Sequence, residues 1–432
     1  MPSKLFSTIS LRDLTLANRL VVSPMGQYNS RDGSATDWHL MHLGQFSLGG
    51  FGLVMTEVSA VEPAGRISHA CAGIWSDENE LALKRVVDFC KEYGVSALGL
   101  QIGHSGRKGS TTSMFDGAKP LMPADGGWQT VAPSEIPFAP GWQTPRALSK
   151  SELATLVEQF SAAVRRADRI GYDLVELHGG HGYLIHQFLS PLSNQRMDAW
   201  GGSLENRARL LLEIVKAVRA AVSPGFAVAV KLNSADFQRG GFSADGAREV
   251  VEMLNPLGVD LVELSGGSYE APAMQGEARD GRTRAREADF VEFARDIRTV
   301  ARMPVMVTGG VRRLPVAEQV VSSGVDMVGM GTALAIDPNL PRDWRAGKDS
   351  APALRPIAWK NKPLASLANM ATVKFQLRKL GRGKATNPRV SPLRALIVQQ
   401  VSNACRVRQY QRWIAPRVDA WSPPVPRQRN AP

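Results

Sequence analysis

Eight short runs rich in Val, Ile, Leu and Met recur along most of this 432-residue chain, the last seven of them separated by six stretches with helical spacing, and this alternation constrains the fold more than any other feature. The runs are Arg19–Met25, Gly52–Ala60, Ala97–Gly103, Asp173–His178, Ala227–Asn233, Asp260–Ser265, Val305–Thr308 and Asp326–Gly331. Helical patterns fall at Glu80–Tyr93, Ser151–Ile170, Leu204–Val222, Asp245–Leu257, Asp289–Val300 and Leu314–Ser323. The runs are nearly continuous in apolar character, as strands of a parallel sheet are when both faces are covered. Eight consecutive βα units predict a closed (β/α)8 TIM barrel of the α/β class rather than an open sheet. Ahead of the first run, Leu5–Leu16 predicts an N-terminal β-hairpin that plugs the barrel's N-terminal end.

Polar and titratable residues gather at one end of these strands. Ser23-Pro24-Met25, Glu57, Gln101, His104, His178, His181, Lys231, Asn233, Asp236, Ser265, Thr308 and Gly309-Gly310 all fall at the C-terminal strand ends or just past them. In this architecture that rim carries the active site. Two long connections, Gly109–Leu148 and Leu184–Ser203, break the short-loop pattern and read either as functional lids or as surface excursions.

His178-Gly179-Gly180-His181-Gly182-Tyr183 is the sharpest constellation. Two histidines past a buried strand can ligate a metal, sit satisfied in the core, or act as neutral N–H donors that polarise a substrate oxygen. The spacing lacks the carboxylate and third ligand of the common zinc motifs, and paired donors suit an oxyanion. Tyr183 adds a phenol able to give up a proton. Gly309-Gly310 and Gly329-Met330-Gly331-Thr332 end adjacent strands, where barrels commonly let backbone N–H groups approach a phosphate. Lys231 ends the fifth strand and is too costly to bury unpaired, so a negative charge is expected opposite it.

Charge divides the chain in two. Seventeen Lys and Arg against Asp349 and Asp419 give residues 346–432 a net +15, which leaves −3 for residues 1–345 out of a total of +12. This predicts a catalytic domain over 1–345 and a basic helical C-terminal extension over 346–432 with a disordered end at the proline-rich terminus. Cys71, Cys90 and Cys405 are too far apart for a CxxC pair or a disulfide framework. No apolar run approaches the roughly 18 residues of a membrane span, and the N-terminus lacks the apolar core of a secretory signal, so a cytoplasmic enzyme is expected.

Residues 3–340 resemble the Old Yellow Enzyme family (NADH:flavin oxidoreductase/NADH oxidase), and within it the bacterial YqjM-like branch. The resemblance rests on Ser23-Pro24-Met25, Gly65-Arg66-Ile67, Gln101, His104–Lys108 and the long run His178–Arg207. It implies FMN as cofactor and NADPH or NADH as reductant. Ser23, Pro24, Met25, Gly26 and Ala60 would lie along the flavin, Gln101 at its pyrimidine edge, and Lys231 against N1, where the family usually has Arg. Gly309, Gly310, Gly331 and Thr332 would hold the phosphate. His178 and His181 would bind the substrate's electron-withdrawing oxygen and Tyr28 would touch the substrate. Tyr183 would protonate Cα after flavin N5 delivers hydride to Cβ. Two positions depart from the pattern. Gly26 stands where the branch has Cys, and Thr332 where the family has Arg, with Arg312 or Arg313 as candidate substitutes.

The implied activity is an ene-reductase acting on α,β-unsaturated carbonyl or nitro compounds, a small electrophilic alkene being the substrate. Desaturation, NAD(P)H oxidase activity or a membrane-associated flavin-binding role are the alternatives. The cysteines needed for the iron–sulfur relatives are missing. In the tail, Leu367, Met370, Val373, Leu377 and Leu380 predict an apolar helix face with Lys374, Arg378 and Lys379 on another, and Leu393, Ile397, Val401 and Ala404 predict a second helix. These helices dock on the barrel or a neighbouring subunit in a homo-oligomer, or lie on an anionic membrane. Nucleic acid is not expected, since stacking aromatics are sparse.

Overall fold

In the computed structural model, which describes residues 3–266, 291–353 and 357–414, eight parallel strands close into a barrel. They are β1 (Leu20–Val22), β2 (Leu53–Ala60), β3 (Ala97–Gly103), β4 (Leu174–Gly179), β5 (Ala227–Asn233), β6 (Leu261–Ser265), β7 (Val305–Thr308) and β8 (Met327–Met330). Each pairs with its sequence neighbours, and β8 closes on β1 with Gly329 opposite Val21. Around them run α1 (Asp37–Ser47), α2 (Asp77–Tyr93), α3 (Lys150–Arg169), α4 (Leu184–Leu189), α5 (Leu204–Ala221), α6 (Ala244–Leu254), α7 (Val291–Arg298), α8 (Leu314–Ser322) and α9 (Leu340–Arg345). Local sequence fixes several starts: Ser149 caps α3 by accepting from the Glu152 N–H, and Glu152 returns to the Ser149 N–H in a capping box.

Alternation along each strand sorts its residues. Outward-facing Val54, Leu100, Val175, Val228 and Val262 pack under the helices. Inward-facing Val21, Leu53, Met55, Leu174, Ala227, Ala229, Leu261, Met306 and Met327 fill the N-terminal half of the lumen. The hairpin of Ile9–Leu11 with Leu14–Leu16 closes that end and adds Leu11 and Leu16 to the same cluster, as the plug reading expects.

Several boundaries differ from the sequence reading. The first strand stops at Val22 rather than Met25, because Pro24 has no N–H to continue a ladder. The connection expected as a loop from Leu184 opens with α4. The first two residues of the helix expected over Asp289–Val300 lie outside the described residues, and its observed part is α7.

After α9 the chain forms α10 (Lys362–Leu380) and α11 (Pro392–Ile414), which pack through Ala368 and Ala371 against Ala395 and Leu396. Small side chains on both helices let them approach closely. The second helix expected through Leu393, Ile397, Val401 and Ala404 is α11, while the expected face of Lys374 is corrected. Lys374 is not on the solvent face: it is 2% exposed, and its ammonium donates to the Gln27 carbonyl at 2.8 Å and lies 4.1 Å from the centre of the Trp38 ring. Conversely, Leu393, Ile397 and Val401 are 60, 57 and 62% exposed, because α11 docks through Ala395, Leu396, Gln399 and Asn403. Among the described residues no helix is long and apolar enough to cross a membrane.

Candidate active site

Above the apolar floor the lumen turns polar. Gln101 Nε2 donates to Glu176 Oε1 at 2.7 Å, and Lys231 Nζ donates to Glu263 Oε1 at 2.5 Å, all four side chains being buried. Glu263 thus sets a negative charge from the protein itself against Lys231, the residue that the resemblance places against the flavin N1. Burial opposes ionisation of Glu263, but the Lys231 ammonium prevails and holds its carboxyl below the usual range. Glu176, buried beside that charge, is pushed well up and keeps its proton. Thr308 faces Glu263 and lies 3.0 Å from the Ser23 hydroxyl, so the network joins β1 to β7.

His178, His181 and Tyr183 converge just above this network. The His178 ring lies 5.1 Å from that of His181 and 4.9 Å from that of Tyr183, both edge-on. The Gly180 N–H donates to His178 Nδ1 at 3.3 Å, which leaves the proton of a neutral imidazole on Nε2. His181 Nε2 is 2.9 Å from the Ser265 hydroxyl. Burial, reinforced by the Lys231 charge, holds both imidazoles well below their ordinary pKa, so both are neutral N–H donors. The metal-ligand alternative finds no third ligand among the described residues.

His181 has a left-handed backbone at φ 56°, as does Tyr28 at 51°, a conformation costly for side chains this large and concentrated at functional sites. The Asn233 side-chain oxygen accepts from the His181 N–H at 2.9 Å, and buried Lys108 donates to the His181 carbonyl at 2.8 Å while lying 5.8 Å from the Tyr183 ring centre. Beneath them the Gly182 N–H donates to His186 Nδ1 at 2.7 Å, and His186 Nε2 lies 2.7 Å from Asp236. Tyr28 is buried in one apolar cluster with Tyr183, Ile67, Cys71 and Phe115.

The β1 extension Ser23–Gln27 borders the same mouth. Gln27 Nε2 donates to the Met25 carbonyl at 2.7 Å, and the Gln27 N–H donates to Glu57 at 2.7 Å. A Cβ on Gly26 would meet the Tyr28 ring at an ordinary 3.4 Å, so a side chain could stand there and this chain omits it. Ala60 and His178 line one cleft with Ile67 and Tyr183. At the ends of β7 and β8, Gly309 and Gly310 have φ of 156° and 66°, and with Gly331 their N–H groups donate to no described residue. A Cβ on Gly331 would press on Met25 Sδ at 3.3 Å. Unengaged backbone donors in a glycine cradle suit a phosphate, and the polar strand ends beside Ser23–Gly26 suit a flavin ring, so the residues present fit FMN. Thr332 opens the short turn Thr332–Ala335 at the rim of this cradle.

Sequence reasoning missed Glu176 and Glu263, although both sit in the same string: Leu-Val-Glu-Leu at 174–177 and again at 261–264. A carboxylate at an inward position of an otherwise apolar strand was the available signal. The contact between Gln27 and Lys374 spans 347 residues and left no sequence signal.

A profile described as the NADH:flavin oxidoreductase / NADH oxidase family matches residues 4–350. The chain is 36% identical over 357 residues to an NADH:flavin oxidoreductase of Gibberella zeae, covering 79% of this chain and 84% of that protein. It is 35% identical over 345 residues to an NADPH dehydrogenase of a Geobacillus species, covering 79% and 93%. The solved structure of morphinone reductase superposes with a TM-score of 0.67 at 26% identity, covering 82% of this chain and 92% of its own.

Proposed function

Because the chain belongs to the NADH:flavin oxidoreductase / NADH oxidase family of FMN-dependent NAD(P)H oxidoreductases, we propose that it is an ene-reductase acting on activated C=C bonds of α,β-unsaturated carbonyl or nitro compounds. FMN, when bound, supplies the centre that takes hydride from NAD(P)H and passes it to the alkene. Ser23, Pro24, Met25, Gly26, Ala60, Gln101 and Lys231 would border its ring, and Gly309, Gly310, Gly331 and Thr332 its phosphate.

The observation that carries this reading is a pair of neutral imidazoles, with buried His178 edge-on to both half-buried His181 and the Tyr183 phenol. His178 and His181 would donate to the substrate oxygen, drawing electron density from Cβ. Two neutral donors stabilise a developing oxyanion without an imidazolium to compete as acid. Tyr183 would then place its proton on Cα, with Tyr28 holding the opposite side of the substrate. Tyr183→Phe should slow oxidation of the reduced enzyme by 2-cyclohexenone on the order of 10²-fold or more and leave reduction by NADPH within about twofold, as stopped-flow absorbance would resolve. Equal slowing of both half-reactions would reject Tyr183 as the proton donor.

For the tail we infer contact with an anionic membrane surface. The exposed arc of Leu393, Ile397 and Val401 is flanked by exposed Arg394 and Arg408, and no Asp or Glu occurs from Ser350 to Val418. Two copies meeting through this face would bring cation against cation, and nucleic acid has little use for an aliphatic arc. An anionic bilayer matches both features. Salt-sensitive co-sedimentation of the full chain with phosphatidylserine vesicles, but not with phosphatidylcholine vesicles, is the expected result; equal recovery with both would reject it.

A further inference from the structure

The basic extension is tied to the mouth of the barrel from the outside. Lys374 of α10 donates to the Gln27 carbonyl at 2.8 Å and approaches Gln27 Oε1 at 3.2 Å. Gln27 in turn holds the Met25 carbonyl and receives the Trp38 indole N–H at 2.9 Å. One turn before Lys374, half-buried Met370 packs on the apolar cluster that contains Tyr28, Phe115 and Tyr183. Phe115 meets the Tyr28 ring edge-on at 5.7 Å, and the Lys374 ammonium lies 5.7 Å from the centre of the Phe115 ring. From α11, Gln400 Nε2 donates to the Phe115 carbonyl at 3.1 Å. Both tail helices thus bear on the turn Met114–Asp116 of the long connection after β3.

We propose that helices α10 and α11 form the outer wall of the substrate cleft, that Met370 sets the bulk of the ligand admitted between Tyr28 and Tyr183, and that Lys374 is the latch that holds this wall on the β1 extension. The proposal rests on the reading of Tyr28 and Tyr183 as substrate-facing. A buried ammonium is costly unless its donors are met, so the carbonyl and side-chain oxygen of Gln27 fix where α10 can sit. The wall and the strand segment proposed to border the flavin therefore share one hydrogen-bonded residue. Methionine suits a wall of this kind, since its unbranched thioether fills irregular space and meets aromatic edges favourably.

Phenol and 2-naphthol, binding to the oxidised FMN-loaded full chain, serve as a size-graded pair read by visible difference spectra. Met370→Ala should shift the ratio of their dissociation constants toward 2-naphthol by about tenfold, and Met370→Trp should shift it the other way, because a change of one or two carbon atoms in a tight pocket is worth roughly 10–200-fold. A ratio that moves less than about twofold in both variants overturns Met370 as the size-setting residue. The latch has a readout that needs no substrate: in Lys374→Met, amide exchange over residues 27–30 and 112–118 should rise about tenfold or more, with Lys374→Arg close to the parent chain. Unchanged exchange in Lys374→Met overturns the wall. If neither phenol binds the parent chain while exchange rises as stated, the substrate reading of Tyr28 and Tyr183 falls and the wall stands on its own.

Discussion

The two halves of the barrel lumen are built on the same strands, two residues apart, and obey different rules. In the floor, Leu53, Leu174, Leu261 and Met306 pack in one apolar cluster with the hairpin's Leu11 and Leu16. One pleat higher, β4 and β6 present Glu176 and Glu263, and β5 presents Lys231. Apolar contact is non-directional, so the floor needs volume and little else. Each buried charge above needs a specific partner at hydrogen-bond distance. Stability is thus distributed in the floor and concentrated in pairs at the mouth, which is where chemistry requires charge.

The sharpest way to break this comparison is to orphan one charge. Glu263→Leu should cost about 3–5 kcal/mol in chemical denaturation by leaving Lys231 unpaired, and Lys231→Met in the same chain should restore much of the loss. An unchanged midpoint for Glu263→Leu would mean that the pair contributes no specificity of its own. Next, His178→Ala should cost about 2.7–4 kcal/mol of transition-state stabilisation with enones while leaving the denaturation midpoint little altered. A large stability loss with intact turnover would reassign His178 to the core.

A pH series should show the same asymmetry. Burial holds His42, His178 and His181 below the ordinary histidine value of 6.5. Unfolded imidazoles take up protons near that value and the folded ones do not. Stability is therefore fully present above about pH 6.5 and falls below it, by up to roughly 1.4 kcal/mol per pH unit for each imidazole. Urea midpoints that coincide at pH 7.5 and 5.5 would contradict the neutral assignment. The smallest effect belongs to the floor: Leu174→Met conserves volume and should cost less than about 1.5 kcal/mol, with phenol affinity unchanged.

How much of this was legible follows the same division. Continuous apolar runs and their spacing gave the barrel, the hairpin plug and the rim on which His178, His181 and Tyr183 meet, because period and polarity are properties of neighbouring residues. Lys231 was legible as a charge in need of a partner, but Glu263 as that partner was not, since pairing across β5 and β6 depends on register rather than on sequence distance. The tail misled for a related reason. Helical spacing put Lys374 on a polar face, yet a carbonyl and an indole on the barrel made its burial favourable. Spacing likewise gave the helix that carries Leu393, Ile397 and Val401 but not which face docks, since Ala395 against Ala368 and Ala371 makes the helix contact.

The contact between Lys374 and Gln27 also has a meaning in time. It joins residues 347 positions apart, so one end of it exists long before the other during synthesis. At about 5–20 residues per second, the β1 extension waits tens of seconds for its latch. Barrel closure needs only β8 against β1, both of which are synthesised before α10. Contacts of such long range carry a large loop-closure cost and form late. The cleft would then be the last part of the molecule to take shape, and a nascent chain with a formed barrel would still lack the wall that gives the cleft its size.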